Sequence, residues 1–205
     1  MGRTSDSRSR ILASATRLFG QRSYASIGVA EIAADAGVPK GSFYHFFRSK
    51  QGLALAVIDA HWQQQSGAWR SILTQSAPLQ VRLGELVAYM ADVQKETATG
   101  TGSAAGCLFG NLSIEAGDAE SDAVTARLRE IFDAQVDMIE EAIRTASDLS
   151  PSRRADARAR AKAIVTQLEG ALLFAKLFND PRQLDRLWTD SMLLLGAEER
   201  VTTGA

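Results

Sequence analysis

Apolar residues recur at helical spacing along most of this chain, and no stretch alternates apolar with polar as a half-buried strand would. Ile11, Leu12, Ala15, Leu18 and Phe19 share one stripe and predict a first helix from about Ser5 to Gln21. Val29, Ile32, Ala33 and Ala36 predict a short second helix with Gly28 as its N-cap. Gly37 supplies the positive φ that a sharp turn needs, and small Ala33 lets two helices approach closely beside it. Pro39 suits the first turn of a third short helix, with Phe43, Phe46 and Phe47 facing inward.

Ser49 then reads as the N-cap of a long fourth helix through about Ile72, and Pro78 opens a fifth that carries Leu83, Leu86, Val87 and Met90. The glycine-bearing segment Thr97 to Gly106 reads as a flexible loop. A short helix from Cys107 to Ala116, ended at Gly117, precedes a long amphipathic one from Ala123 to Ala146. Ser150-Pro151 starts a helix through about Phe178, and Asp180-Pro181 starts the last, stopped near Gly196. The expected architecture is all-α: a three-helix head over residues 1–50 and a larger helical bundle over residues 51–205. The last two helices are apolar on more than one side, through Leu168, Ala171, Phe174, Trp188, Met192 and Leu195, so they need a second partner.

Charge changes the picture once it is divided by region. The chain carries a net charge of −1. Residues 1–50 hold eight basic against three acidic side chains, whereas the remainder holds 15 against 21. A cationic head favours phosphate contact, and an acidic body keeps nucleic acid away from the rest. The basic run Arg153, Arg154, Arg158, Arg160 and Lys162 falls inside the acidic region and reads as a solvated helix face. No apolar run reaches the roughly 20 residues that span a bilayer, and the N-terminus lacks an apolar core after its arginines, so a cytoplasmic protein without a membrane partner is expected. The single cysteine excludes an intrachain disulfide framework.

The exposed side of the third helix carries chemistry suited to DNA. Lys40, Gly41, Ser42, Tyr44 and His45 offer charge, close backbone approach, hydroxyls and an imidazole to phosphates or base edges. Lys50, in the first turn of the fourth helix, lies where a helix N-terminus and a basic side chain bind phosphate together. A cation there opposes the helix dipole, which an anionic partner would explain. His45 also reads as an ordinary surface histidine, and Arg3, Arg8 and Arg10 as either a groove-reaching arm or a solvated one.

The run VPKGSFYHFFRSK, with its flanks from Ile11 to Leu53, resembles the helix-turn-helix of the TetR family of bacterial regulators. That resemblance implies a DNA-binding homodimer that reads an inverted-repeat operator, its last two helices packing with their two-fold mates as a four-helix bundle. Tyr44 and Lys50 would hold phosphates, and Ser42 and His45 would reach bases. Two positions depart from the family pattern. Ile27-Gly28 stands where relatives place hydroxyl residues, and Pro39 replaces the usual serine or threonine. Backbone amides, Gly28 included, are left to substitute.

The resemblance also implies a small-molecule effector in the bundle and no cofactor. Trp62, Trp69, Tyr89, Met90, Phe109, Phe132, Met138 and Phe174 supply apolar material for a pocket, and Gln65, Asn111, Glu115 and Gln167 supply polar groups; any one such residue is more often plain core than pocket lining. Cys107 stands at the start of a short helix, where a thiolate is stabilised. The segment GCLFGNLSIE is similar to one in the TetR subgroup of the N-ethylmaleimide reductase repressor, whose matching cysteine senses electrophiles. A buried small hydrophobe is the other reading of Cys107. A repressor is the expected function, with an activator or a ligand-free DNA-organising factor as alternatives. Catalysis is not expected, because no third group orients Cys107 and His61 and no metal-ligand spacing is present.

Overall fold

The computed structural model describes residues 2–114 and 122–189. Among them are nine α-helices: α1 Gly2–Gln21, α2 Val29–Asp35, α3 Lys40–Phe46, α4 Lys50–Leu73, α5 Leu79–Thr101, α6 Leu108–Ile114, α7 Asp122–Arg144, α8 Pro151–Ala155 and α9 Ala157–Leu177. A 3-10 turn follows at Pro181–Leu184. The fold is all-α, as the periodicity predicts, and none of the described helices is long and apolar enough to cross a membrane.

The chain divides into two compact units, residues 1–66 with 105–132, and residues 67–104 with 133–205. In the first, one continuous core joins Ile11, Ala15 and Phe19 of α1, Ile32 and Ala33 of α2, Phe43 of α3 and Leu53, Val57 and Ile58 of α4. Leu108, Phe109 and Leu112 of α6, with Val124, Leu128 and Ile131 of α7, complete it. One helix of 20 residues and two of 7 could not bury enough surface alone, so the head shares its core with later segments.

In the second unit, Leu83, Leu86 and Met90 of α5, Val136, Ile139 and Ile143 of α7, and Ile164, Leu168 and Leu172 of α9 are buried. Three elements differ from the expectations. The helix α5 runs through the expected loop to Thr101, with Gly100 inside it. Thr97, Thr99 and Thr101 donate their hydroxyls to carbonyls four residues back, and the stop comes at Gly102, whose φ of 78° is the left-handed conformation of a helix end. The helix expected from Pro151 to Phe178 is two, because Asp156 leaves the helical conformation at φ −97°, ψ 26°.

The expected last helix begins instead as the 3-10 turn, where Asp180 accepts the Arg182 amide at 3.1 Å. Asn179, at φ 49°, ends α9 and ties it to the chain after α5, donating to the Gly102 carbonyl and accepting the Ala104 amide. Glu115, Gly117, Met192, Leu194, Leu195 and Gly196 lie outside the described residues, as do the side chains of Arg3 and Arg153.

Candidate nucleic-acid interface

The turn between α2 and α3 is built by local chemistry. Gly28 is the N-cap of α2 at φ −92°, ψ 155°, and Gly37 has φ 62°. A Cβ at Gly37 would meet nothing within 4 Å, so conformation rather than space demands glycine there. Val38 donates its amide to the Ala33 carbonyl at 2.9 Å, closing the turn. Pro39 is the N-cap of α3 rather than its first residue, and its carbonyl accepts the Ser42 amide at 2.8 Å.

Ion pairs hold α2 against α1. Asp35 accepts from Ser14 and Arg17, and Arg22 donates to Glu31. The Ser14 hydroxyl and the Arg17 guanidinium lower the Asp35 pKa below the usual carboxylate value. A depressed folded pKa stabilises above the unfolded value, and that contribution disappears only as pH falls through the folded one. The brace therefore holds at neutral pH.

α3 is anchored on one side and free on the other. Phe43 is fully buried and Phe47 nearly so, with ring centroids 5.9 Å apart. Lys40, Gly41, Tyr44 and His45 are exposed and Ser42 is half-buried. Tyr44 stands edge-on to Phe43 at 5.3 Å, and His45 to Phe46 at 4.9 Å, so both rings are oriented yet open to a partner. Arg8 and Arg10 are not a loose arm. Arg10 donates to the Gly37 carbonyl at 2.8 Å, and the Arg8 guanidinium sits 5.4 Å from the Phe47 ring centroid.

Lys50 is placed differently from its neighbours. Its Nζ donates to the carbonyls of Tyr24 and Ile27 at 2.6 and 2.9 Å, and lies 4.0 Å from the centroid of the Tyr24 ring. These partners account for a cation at the start of α4 and fix the loop that delivers Gly28. Ser49 caps the helix as expected, accepting the Gly52 amide at 3.0 Å.

Of the expected ligand-site residues, Trp62, Gln65, Cys107, Asn111 and Phe132 fall in the first unit and Gln167 in the second. Trp62 and Phe132 pack edge-on to the buried Phe109, at 6.3 and 6.4 Å, and His61 does so at 5.1 Å. Burial lowers the His61 pKa, keeping the imidazole neutral within that aromatic cluster. Asn111 donates to the carbonyls of Gly20 and Ala105, tying the end of α1 to α6. Gln65 is buried in the same unit, whereas the half-buried Gln167 belongs to the other. Cys107 is half-buried against the first unit's core, its Sγ accepting the Gly110 amide at 3.4 Å. An open cleft of about 860 Å³ lies in the second unit, between the end of α4, the start of α5 and the end of α7, with Met138 on its wall.

Of the residues expected to pair with a second chain, Phe174 is 50% exposed, Ala171 is half-buried and Leu168 is 3% exposed, filling the interior of its own unit. Trp188 packs on α5, where a Cβ at Gly84 would lie 3.4 Å from its indole. Sequence reasoning missed Leu173 and Phe178, which join Phe174 and Leu177 as an exposed apolar face. Their spacing at 173, 174, 177 and 178 was the available signal.

Comparison with known proteins agrees with this geometry. Residues 11–57 match the family model of bacterial regulatory proteins of the tetR family, and residues 81–190 match a tetracyclin repressor-like C-terminal domain. The HTH-type transcriptional repressor NemR of Escherichia coli is 35% identical over 117 residues, a match spanning 57% of this chain and 57% of NemR. The HTH-type transcriptional repressor DhaR of a Mycobacterium species is 31% identical over 89% of this chain and 88% of its own. The crystal structure of a regulatory protein TetR from Rhodobacter sphaeroides superposes with a TM-score of 0.75 at 29% identity, covering 89% of this chain and 95% of that one. With both of its parts matched, the chain belongs to the TetR family of bacterial transcriptional regulators.

Proposed function

We propose that this protein is a homodimeric repressor that binds an inverted-repeat operator in the cytoplasm and is released by a small-molecule effector. The observation that carries the reading is α3, whose Phe43 is locked in the core while Lys40, Gly41, Ser42, Tyr44 and His45 line its outer side. Such a helix can enter a major groove without losing its support. Residues 1–50 act as the reading head and residues 51–205 as the effector-binding and dimerising part. Lys50 contributes chiefly by holding the approach to α2, which presents the Gly28 amide in place of a missing hydroxyl.

The apolar face of α9 supports the dimer. Leu173, Phe174, Leu177 and Phe178 are 50 to 70% exposed on one side of a helix, a patch that a second copy would cover. Two α3 helices would then meet successive major grooves about one helical turn apart. The effector need only favour the arrangement that does not fit DNA.

Mobility shift against the DNA flanking the protein's own gene tests this. A single fragment should bind far better than random DNA, with affinity falling steeply as salt rises. Tyr44→Ala should weaken it about tenfold by removing one charge-assisted phosphate contact. Equal affinity for specific and random DNA would defeat the local-regulator reading in favour of a DNA-organising factor. Transcription of the bound gene after deletion separates repressor from activator.

Cys107 supports an electrophile-responsive version of the same function. Its sulfur accepts an amide at 3.4 Å at the start of α6 and packs on the core that anchors α3, so an adduct there would disturb the reading helix. Mild quinone should add to the intact mass and release DNA, and Cys107→Ser should do neither. A thiol that stays unmodified while DNA is released would remove Cys107 from the mechanism.

A further inference from the structure

Arg82 occupies a core-phase position on α5, beside Leu79, Leu83 and Leu86, and is only 7% exposed. Its Nη1 donates to the Leu73 carbonyl at 2.7 Å and its Nη2 to the Ala142 carbonyl at 3.4 Å, while its Nε is buried without a partner. The carbonyls at the ends of α4 and α7 carry partial negative charge and offset some of the cost of burying a guanidinium. Two neutral acceptors remain a poor substitute for a carboxylate, and an unmet buried donor adds to the cost.

The same arginine lines the 860 Å³ cleft, whose apolar wall includes Leu73, Pro78, Met138 and Ala142. That volume falls in the range of about 300–1,000 Å³ common for small-molecule sites. A buried cation without an anionic partner among the described residues, beside apolar wall, is half of a recognition site. We infer that this cleft binds a small monocarboxylate, its carboxylate paired with Arg82 and its hydrocarbon laid against Leu73, Met138 and Ala142.

Asp137, Glu141 and Asp148 also line the cleft, and they decide how much negative charge it accepts. All three are exposed. Asp137 is paired with Arg158 at 2.6 Å, and Asp148 accepts the Leu79 amide at 3.2 Å. Water partly screens these exposed charges, and the Arg158 guanidinium offsets Asp137 at 2.6 Å, so they weigh less on a bound carboxylate than the buried Arg82 does. The acidic side chains therefore disfavour polyanions without cancelling the preference for one carboxylate.

Calorimetry on the full chain tests the site with hexanoate and benzoate against hexanamide and benzamide. The acids should bind at least about tenfold more tightly than the amides, the scale of a charge-assisted pair. Arg82→Gln should abolish that discrimination. Because this change also removes bonds to two helix ends, Met138→Trp serves as a second variant, expected to fold, as judged by circular dichroism, and to weaken both classes by filling the cleft. Acids that bind the wild-type protein no better than amides, or not at all, would overturn the site, as would unchanged binding by folded Met138→Trp.

That the carboxylate also releases DNA rests on the effector reading. Binding without release would leave the site standing and defeat that reading. Intact operator binding with no carboxylate binding would do the reverse.

Discussion

Phe43→Ala is expected to destabilise the protein by about 3–5 kcal/mol and to abolish operator binding. The ring is fully buried in the first unit's core and is the inward anchor of a helix of seven residues. A helix that short has no stability of its own in water, where isolated helices need about 12–15 residues to persist even marginally. Removing the anchor leaves a cavity and nothing to hold α3 at a fixed angle. Urea unfolding monitored by circular dichroism measures the first effect, and mobility shift the second. A midpoint close to that of the wild type, with DNA binding intact, would show that α3 is held by something other than Phe43. Tyr44→Ala provides the contrast, since its ring is 53% exposed and its loss should spare stability while weakening DNA binding.

The second large effect belongs to the opposite end of the chain. Leu177→Asp combined with Phe178→Asp should convert the protein to monomers and reduce operator affinity by about 1,000-fold or more. The two side chains are 70 and 60% exposed in the single chain, so the substitutions remove little from its own core. Covering each in a dimer would contribute about 1.5–3 kcal/mol, and two-fold symmetry counts every side chain twice. Four unpaired carboxylates at the seam would add desolvation and repulsion. Sedimentation at micromolar concentration reads the assembly, and the helical signal checks that the chain remains folded. A folded double variant that still sediments as a dimer would place the two-fold contact elsewhere.

Much of the reading head was legible because its determinants are local. Gly37 adopts the positive φ its turn requires, Ser49 caps α4 through its own hydroxyl, and Phe43 and Phe47 fall on the buried side that their spacing predicts. Each outcome depends on neighbours within about one helical turn, which is the range over which backbone sterics and side-chain caps act. The helix ends beyond α4 were harder. The segment Thr97 to Gly106 reads as a loop from its glycines, yet α5 continues past Gly100 to stop at Gly102, and a lone glycine in a helix costs only about 1 kcal/mol.

Long-range partners were illegible for a different reason. Nothing near Lys50 in sequence indicates that its ammonium reaches the carbonyls of Tyr24 and Ile27, more than 20 residues earlier. Nothing beside Asn111 in sequence indicates that it binds the end of α1, 91 residues away. Arg82 was hidden among leucines of core phase, where only the bundle reveals it as a buried cation beside an open cleft.

The amino-acid sequence by itself therefore determined the all-α class, the helix-turn-helix with its outward residues, and the membership of the family, because periodicity, caps and turns are written in adjacent positions. The tertiary structure decided which apolar faces stay uncovered, which polar groups brace the head, and where an open cleft forms. Those depend on which distant segments share a core, and burial by a partner far along the chain leaves no local mark.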